Sequence, residues 1–208
     1  MTKPQRPLFQ LTYLVGELLM LAWAASVRRA KAFNSTIAAK DRPSTTRFRR
    51  DLLAFAEHDL LPHYVTGCTE EQHVQNLLRL REYGTRIGGR LFDDDGYRLG
   101  LAQKFFNLLL KSLWSLDLIP EPPHCPVDRV IIGRTSGQIE INWTEMTAVD
   151  EYLRAIRVLQ TEAVSQKLSL AEWELRHYDR RNPLKLDLVR LIDGGPDKAS
   201  RSVVVPKS

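Results

Sequence analysis

The sequence predicts a single all-α domain, and three observations carry that prediction. Apolar residues recur at helical spacing through most of the chain. Thr69 with Gln72 and Ser169 with Glu172 have the spacing of capping boxes. No stretch has the composition of a linker between two independent cores. Residues 1–181 are therefore expected to form one helical domain, divisible into two lobes around a cleft. Residues 182–208, with "DGGPDKASRS", read as a polar C-terminal tail. The exception expected is one small β-hairpin at about 129–142, where "RVII" and "QIEIN" flank "GRTSG". A short helix at 129–133 followed by a loop is the alternative there.

Each element follows in order. "LFQLTYLVGELLMLAWAASV", Leu8–Val27, reads as a long core helix ending in the basic residues Arg28, Arg29 and Lys31. Glu17 inside it would be costly in lipid, which ranks a membrane helix below a core helix. A polar link, "NSTIAAKDRPSTT", precedes a helix from about Thr46 to Leu61 with Leu52, Leu53, Phe55, Ala56 and Leu60 on its apolar face; Pro62 stops it. A helix opened by Thr69 runs to the glycines Gly84, Gly88 and Gly89. "LFDDDGYRLG" is a turn region. Leu101–Trp114 is apolar nearly all round and should be a buried central helix. A helix of about 145–161 capped by Thr144 and a last one after Ser169 complete the domain.

Composition narrows the function classes. The chain has 208 residues and a formal net charge of +5, which permits a polyanionic partner without demanding one. Two cysteines, Cys68 and Cys125, are too few for a disulfide framework or a four-thiolate site. The expected compartment is reducing and cytoplasmic. A disulfide between the two stays open. No phosphate-binding loop, zinc site or hydrolase triad is recognisable, so no cofactor and no metal are expected. His124 and Cys125 are adjacent ligand types without clear partners, and loop packing is the simpler role for them.

Two residues carry candidate chemistry. Lys104 begins the central helix, and Asp128 follows the stiff "PPHCPV" loop. Desolvation of an amine beside an apolar helix favours its neutral, nucleophilic form. An aspartate at the mouth of a cleft can activate water or an amine, or stabilise positive charge on a sugar as a glycosidic bond breaks. The alternative roles are a snorkelling lysine and a helix N-cap.

"GYRLGLAQKFFNLLLKSLW" followed by "PHCPVDRVII" resembles the helix-hairpin-helix DNA glycosylases, over residues 96–133. In that family a turn and a lysine-bearing helix precede a motif holding the essential aspartate. Pro126, Val127 and Asp128 match the motif, and Lys104 falls where bifunctional members carry a Schiff-base lysine. Gly96 and Gly100 lie farther upstream than the family's hairpin glycines, and the chain lacks the four-cysteine cluster of the iron–sulfur members. The chain is most similar to divergent members, the archaeal-type 8-oxoguanine glycosylases and phage-defence glycosylases acting on modified cytosine.

The resemblance implies an enzyme that binds duplex DNA, flips a modified base and excises it, leaving an abasic site. Asp128 and Lys104 would be catalytic. Gln103, Asn107, Tyr97, Arg98, Lys111, His124 and Arg129 would contact the base or the DNA. Arg86, Arg90 and Arg134 extend the basic set around them. Trp114, Trp143, Trp173, Phe105 and Phe106 are further candidates for stacking. The rivals are a non-catalytic helical DNA- or protein-binding protein and, ranked lower, a membrane-attached one using residues 8–27.

Overall fold

The computed structural model describes residues 7–136 and 140–178; the proposed tail at 182–208 lies outside the described residues. Among the described residues there are eight α-helices and no strand, so the fold is all-α. Helix α1 (Leu8–Trp23) continues into a π-helical turn at Ala24–Arg28, where the Ser26 hydroxyl donates back to the carbonyl of Ala22 at 2.7 Å. Helix α2 covers Ser35–Lys40 and α3 covers Arg42–Phe55, prolonged by π and 3₁₀ turns to Tyr64. Helix α4 spans Glu70–Gly88, α5 Leu99–Ser115, α6 Arg129–Ile132, α7 Val149–Ser165 and α8 Leu170–His177.

Helix α5 is the axis of the core. Every residue from Leu99 to Leu110 is buried, as the all-round apolar pattern predicts. Helix α1 with its π turn, and α4, pack against it. Trp23, Phe48, Phe92 and Tyr97 form a knot of tilted and edge-on ring contacts, with Phe105 of α5 edge-on to Trp23 at 6.3 Å. Burial of each such ring contributes about 1.5–3 kcal/mol. Gly100 opens the first turn of α5. A Cβ there would stand 1.7 Å from the Trp143 carbonyl oxygen, and the Gly100 N–H donates to Met146 O at 2.9 Å. That close approach sets the 143–146 segment beside Lys104, one turn along the helix.

Several expectations are corrected. The hairpin at about 129–142 does not form: "RVII" is the one-turn helix α6, followed by turns, with no strand at the described residues of this span. Its cause is the Asp128 carboxylate, whose Oδ1 accepts from the N–H groups of Val130 and Ile131, both at 2.9 Å, and starts a helix where β propensity alone suggests a strand. The "polar link" contains α2 and the start of α3, because Asn34 and Asp41 serve as N-caps. Thr144 caps no helix. Its hydroxyl donates to Asn142 at 2.7 Å, and α7 begins only at Val149. The capping box at Ser169 and Glu172 is present, and Thr69 caps α4 through its hydroxyl.

Helix α1 also departs from the core-helix reading. Only Ala22 and Trp23 of it are buried, whereas Leu8, Phe9, Tyr13, Met20 and Leu21 are exposed. The stretch Leu8–Arg28 is long and apolar enough to cross a membrane by length and composition. Its C-terminal part, with Val15, Leu19, Ala22 and Trp23, is the part that joins the core.

Candidate active site

Lys104 and Asp128 meet, although 24 residues separate them. The Lys104 amine donates to Asp128 Oδ2 in a buried ion pair, with side chains 2% and 8% exposed. Local sequence explains both placements. Lys104 rides on the fully buried face of α5. Asp128 is held in extended backbone as the N-cap of α6, and the loop before it is fastened to α5. Gln103 Nε2 donates to Val127 O at 2.9 Å, and Val127 N–H donates to Gln103 Oε1 at 3.0 Å. Asn107 Nδ2 donates to Cys125 O at 3.0 Å.

Burial pushes the Asp128 carboxyl up, but the Lys104 ammonium and the Ile131 and Val130 N–H groups outweigh it. The net result is a carboxyl held below its ordinary value, so it is charged at neutral pH. Such a charge, kept in a partly desolvated place, can stabilise a developing cation more strongly than a solvated one.

The pair forms the floor of a cleft of about 560 Å³. Ala25, Arg29, Ala30 and Lys31, from the end of the first helix, make one wall. Arg129 and Val130 of α6, with Trp143 and Thr144, make another. Tyr178, just after α8, also lines it. Four cations line this space against one carboxylate, which suits an anionic ligand. Two small alanines leave room, and Trp143 and Tyr178 supply aromatic surface.

A second, partly buried ion pair shares the Tyr178 ring with the first. The Lys111 amine donates to both oxygens of the fully buried Glu174 at 2.9 Å. Burial raises the Glu174 carboxyl, with Lys111 opposing. The Tyr178 ring lies 4.5 Å from the Lys111 amine and 5.7 Å from the Lys104 amine, a cation–π arrangement that couples the two pairs.

The remaining predicted residues are distributed as follows. Gln103 and Asn107 are buried beneath the Asp128 loop and are spent on its backbone. His124 is buried, its Nδ1 2.9 Å from the Tyr152 hydroxyl, which also accepts from Asn107. Glu70 approaches His124 Nε2 at 3.3 Å but without hydrogen-bond alignment. Tyr97 is wholly buried in the aromatic knot, as Phe105 and Phe106 are in the core. Arg98 and Arg86 border a different depression, of about 400 Å³, with Asp95 and Thr147. Arg90 pairs with Asp41 at 3.2 Å. Only Lys104, Asp128 and Arg129 of the predicted set share the cleft, and Trp143 of the stacking candidates joins them.

Sequence reasoning missed Arg29, Lys31, Thr144 and Tyr178 as cleft residues. The basic cluster after the first helix was the one available signal. No group of three or more metal-ligating side chains is assembled among the described residues. No protein-family model matches this chain, and no curated protein or solved structure matches it either.

Proposed function

We propose that this protein is a DNA glycosylase that flips a modified nucleotide out of duplex DNA and cleaves its N-glycosidic bond. The observation that supports this best is a charged aspartate, paired with a lysine, at the floor of a cleft whose other charged residues are all cationic. The base would enter between Trp143 and Tyr178, with phosphates toward the cationic rim.

In the monofunctional route the C1′–N bond breaks with its electron pair leaving on the base. Asp128 stabilises the oxocarbenium ion, and water adds at C1′ with its proton passing to the departed base. In the bifunctional route the Lys104 amine, after losing its proton, adds at C1′ instead. The C1′–O4′ bond then opens, O4′ takes a proton from the added amine, and the protonated Schiff base so formed permits strand nicking.

The best substrate is a phage-type modified cytosine such as glucosylated hydroxymethylcytosine, with defence against phage in the cytoplasm as the role. 8-Oxoguanine is the alternative. Both come from the family resemblance.

A non-catalytic DNA-binding role is the second reading, and a specific observation favours it. Both Asp128 oxygens are already engaged, Oδ1 in capping α6 and Oδ2 with Lys104.

The test incubates the protein with glucosylated hydroxymethylcytosine DNA, an 8-oxoguanine duplex and plain duplex. Abasic sites are scored, and borohydride is added to trap any Schiff base. Base loss from one modified DNA supports the enzyme and names its substrate. Tight binding to all three without base loss favours the binder.

A further inference from the structure

We propose that Arg29 and Lys31, at the turn that ends the first helix, bind a backbone phosphate of the DNA strand whose nucleotide enters the cleft. This rests on the DNA-binding part of the reading above, not on the bond cleaved.

The turn has a defined geometry. The Ala32 N–H donates to Val27 O at 3.2 Å and the Lys31 N–H donates to Arg28 O at 3.1 Å. This is a Schellman closure with Lys31 in the left-handed position, at φ 49°. Glycine fits such a position best, because a side chain there crowds the backbone. The conformation alone marks nothing, since Asp117 and Lys167 occupy the same place in the turns after α5 and α7.

What sets Lys31 apart is its location. It and Arg29 are exposed and line the cleft on the wall formed by the end of the first helix, and their side chains have no hydrogen-bond or ion-pair partner among the described residues. The competing explanation is attraction of the two cations to the negative end of the helix dipole. That attraction accounts for basic residues near any helix end. It does not require them to stand on the wall of a cationic cleft. A phosphodiester fits better than a free carboxylate because three separate cations, Arg29, Lys31 and Arg129, ring the opening, as a strand with successive phosphates would require.

The experiment measures affinity as a function of salt. The probe is a duplex carrying a tetrahydrofuran abasic analogue, and each variant's melting temperature is recorded alongside. Lys31→Gly and Arg29→Ala should each weaken binding roughly fivefold at ~0.15 M monovalent salt and reduce the slope of log affinity against log salt by about one. Lys31→Gln should bind as weakly as Lys31→Gly. Melting of Lys31→Gly should stay at or above the wild-type temperature, because glycine relieves the left-handed turn. Lys167→Gly is the control: it should melt at least as high as wild type and leave affinity unchanged.

Unchanged affinity and salt slope in both Lys31→Gly and Arg29→Ala would overturn the assignment, as would failure of the wild type to bind this duplex. If binding depends on the two residues but no modified base is ever released, the phosphate contact stands and the glycosylase reading fails.

Discussion

The side-chain amide of Gln103 grips both backbone groups of Val127, donating to its carbonyl at 2.9 Å and accepting from its N–H at 3.0 Å. The residue that follows is Asp128, so α5 fixes the carboxylate through its own backbone as well as through Lys104. A buried donor or acceptor left without a partner costs about 1–3 kcal/mol. Gln103→Met should therefore destabilise the protein by roughly 2–4 kcal/mol, since it strands two backbone groups. In a protein that still folds at low temperature, base release should slow more than DNA affinity falls. Urea denaturation and single-turnover rates check this. Stability equal to the wild type would show that the grip does not hold the loop.

Much of this arrangement was legible in the sequence, and the part that was not has a physical cause. The all-round apolar pattern of 101–114 announced a buried helix, and the stiff proline loop announced a rigidly presented aspartate. The helix at 129–132 was the alternative to a hairpin, ranked second because β-branched residues dominate "RVII", while the decision lies with two N–H groups capped by Asp128. Gln103 and Asn107 were expected to contact the base or the DNA, because periodicity cannot reveal that a buried amide is satisfied by a loop 18 to 24 residues away. The exposure of α1 was equally hidden: an apolar helix reads the same whether the protein covers it or not.

Lys104→Met leaves the Asp128 charge desolvated and without its cation. Removing one partner of a buried pair costs about 3–5 kcal/mol. The double variant Lys104→Met with Asp128→Asn should recover part of that loss, since asparagine still caps α6. The sign with pH follows from the depressed Asp128 carboxyl. Its contribution is present above the ordinary value of about 3.9 and is lost as pH falls through the lower folded value. Acid unfolding of Asp128→Asn should thus be flatter below about pH 4 than that of the wild type. A double variant less stable than Lys104→Met alone would contradict the pairing.

The buried histidines act in a higher pH window. His73 and His124 are edge-on at 4.7 Å. Burial holds both below the ordinary histidine value, and each is neutral in the fold; for His73 the neighbouring His124 adds to this, and for His124 the nearby Glu70 opposes it. The unfolded chain takes up protons that the folded chain refuses, so stability is full above about pH 6.5 and falls below it, by up to about 1.4 kcal/mol per pH unit for each histidine. His73→Phe should flatten that slope between pH 7.5 and 5.5 in urea midpoints. An undiminished slope would place the proton uptake elsewhere.

Gly100→Ala tests the close approach that builds the cleft wall. Its Cβ would meet the Trp143 carbonyl oxygen at 1.7 Å, and backbone on both sides leaves little to yield. A loss of about 3 kcal/mol or more is expected, together with weaker DNA binding, because Trp143 and Thr144 must move. An alanine variant that melts with the wild type would mean that this wall is not held by the contact.

The most direct measurement compares wild type and Asp128→Asn on the modified duplex that supports base release, reading single-turnover excision and affinity side by side. The account predicts that affinity is retained while excision falls at least about a hundredfold. Excision at the wild-type rate by a folded Asp128→Asn would contradict it, and would leave Asp128 as the cap of α6 alone.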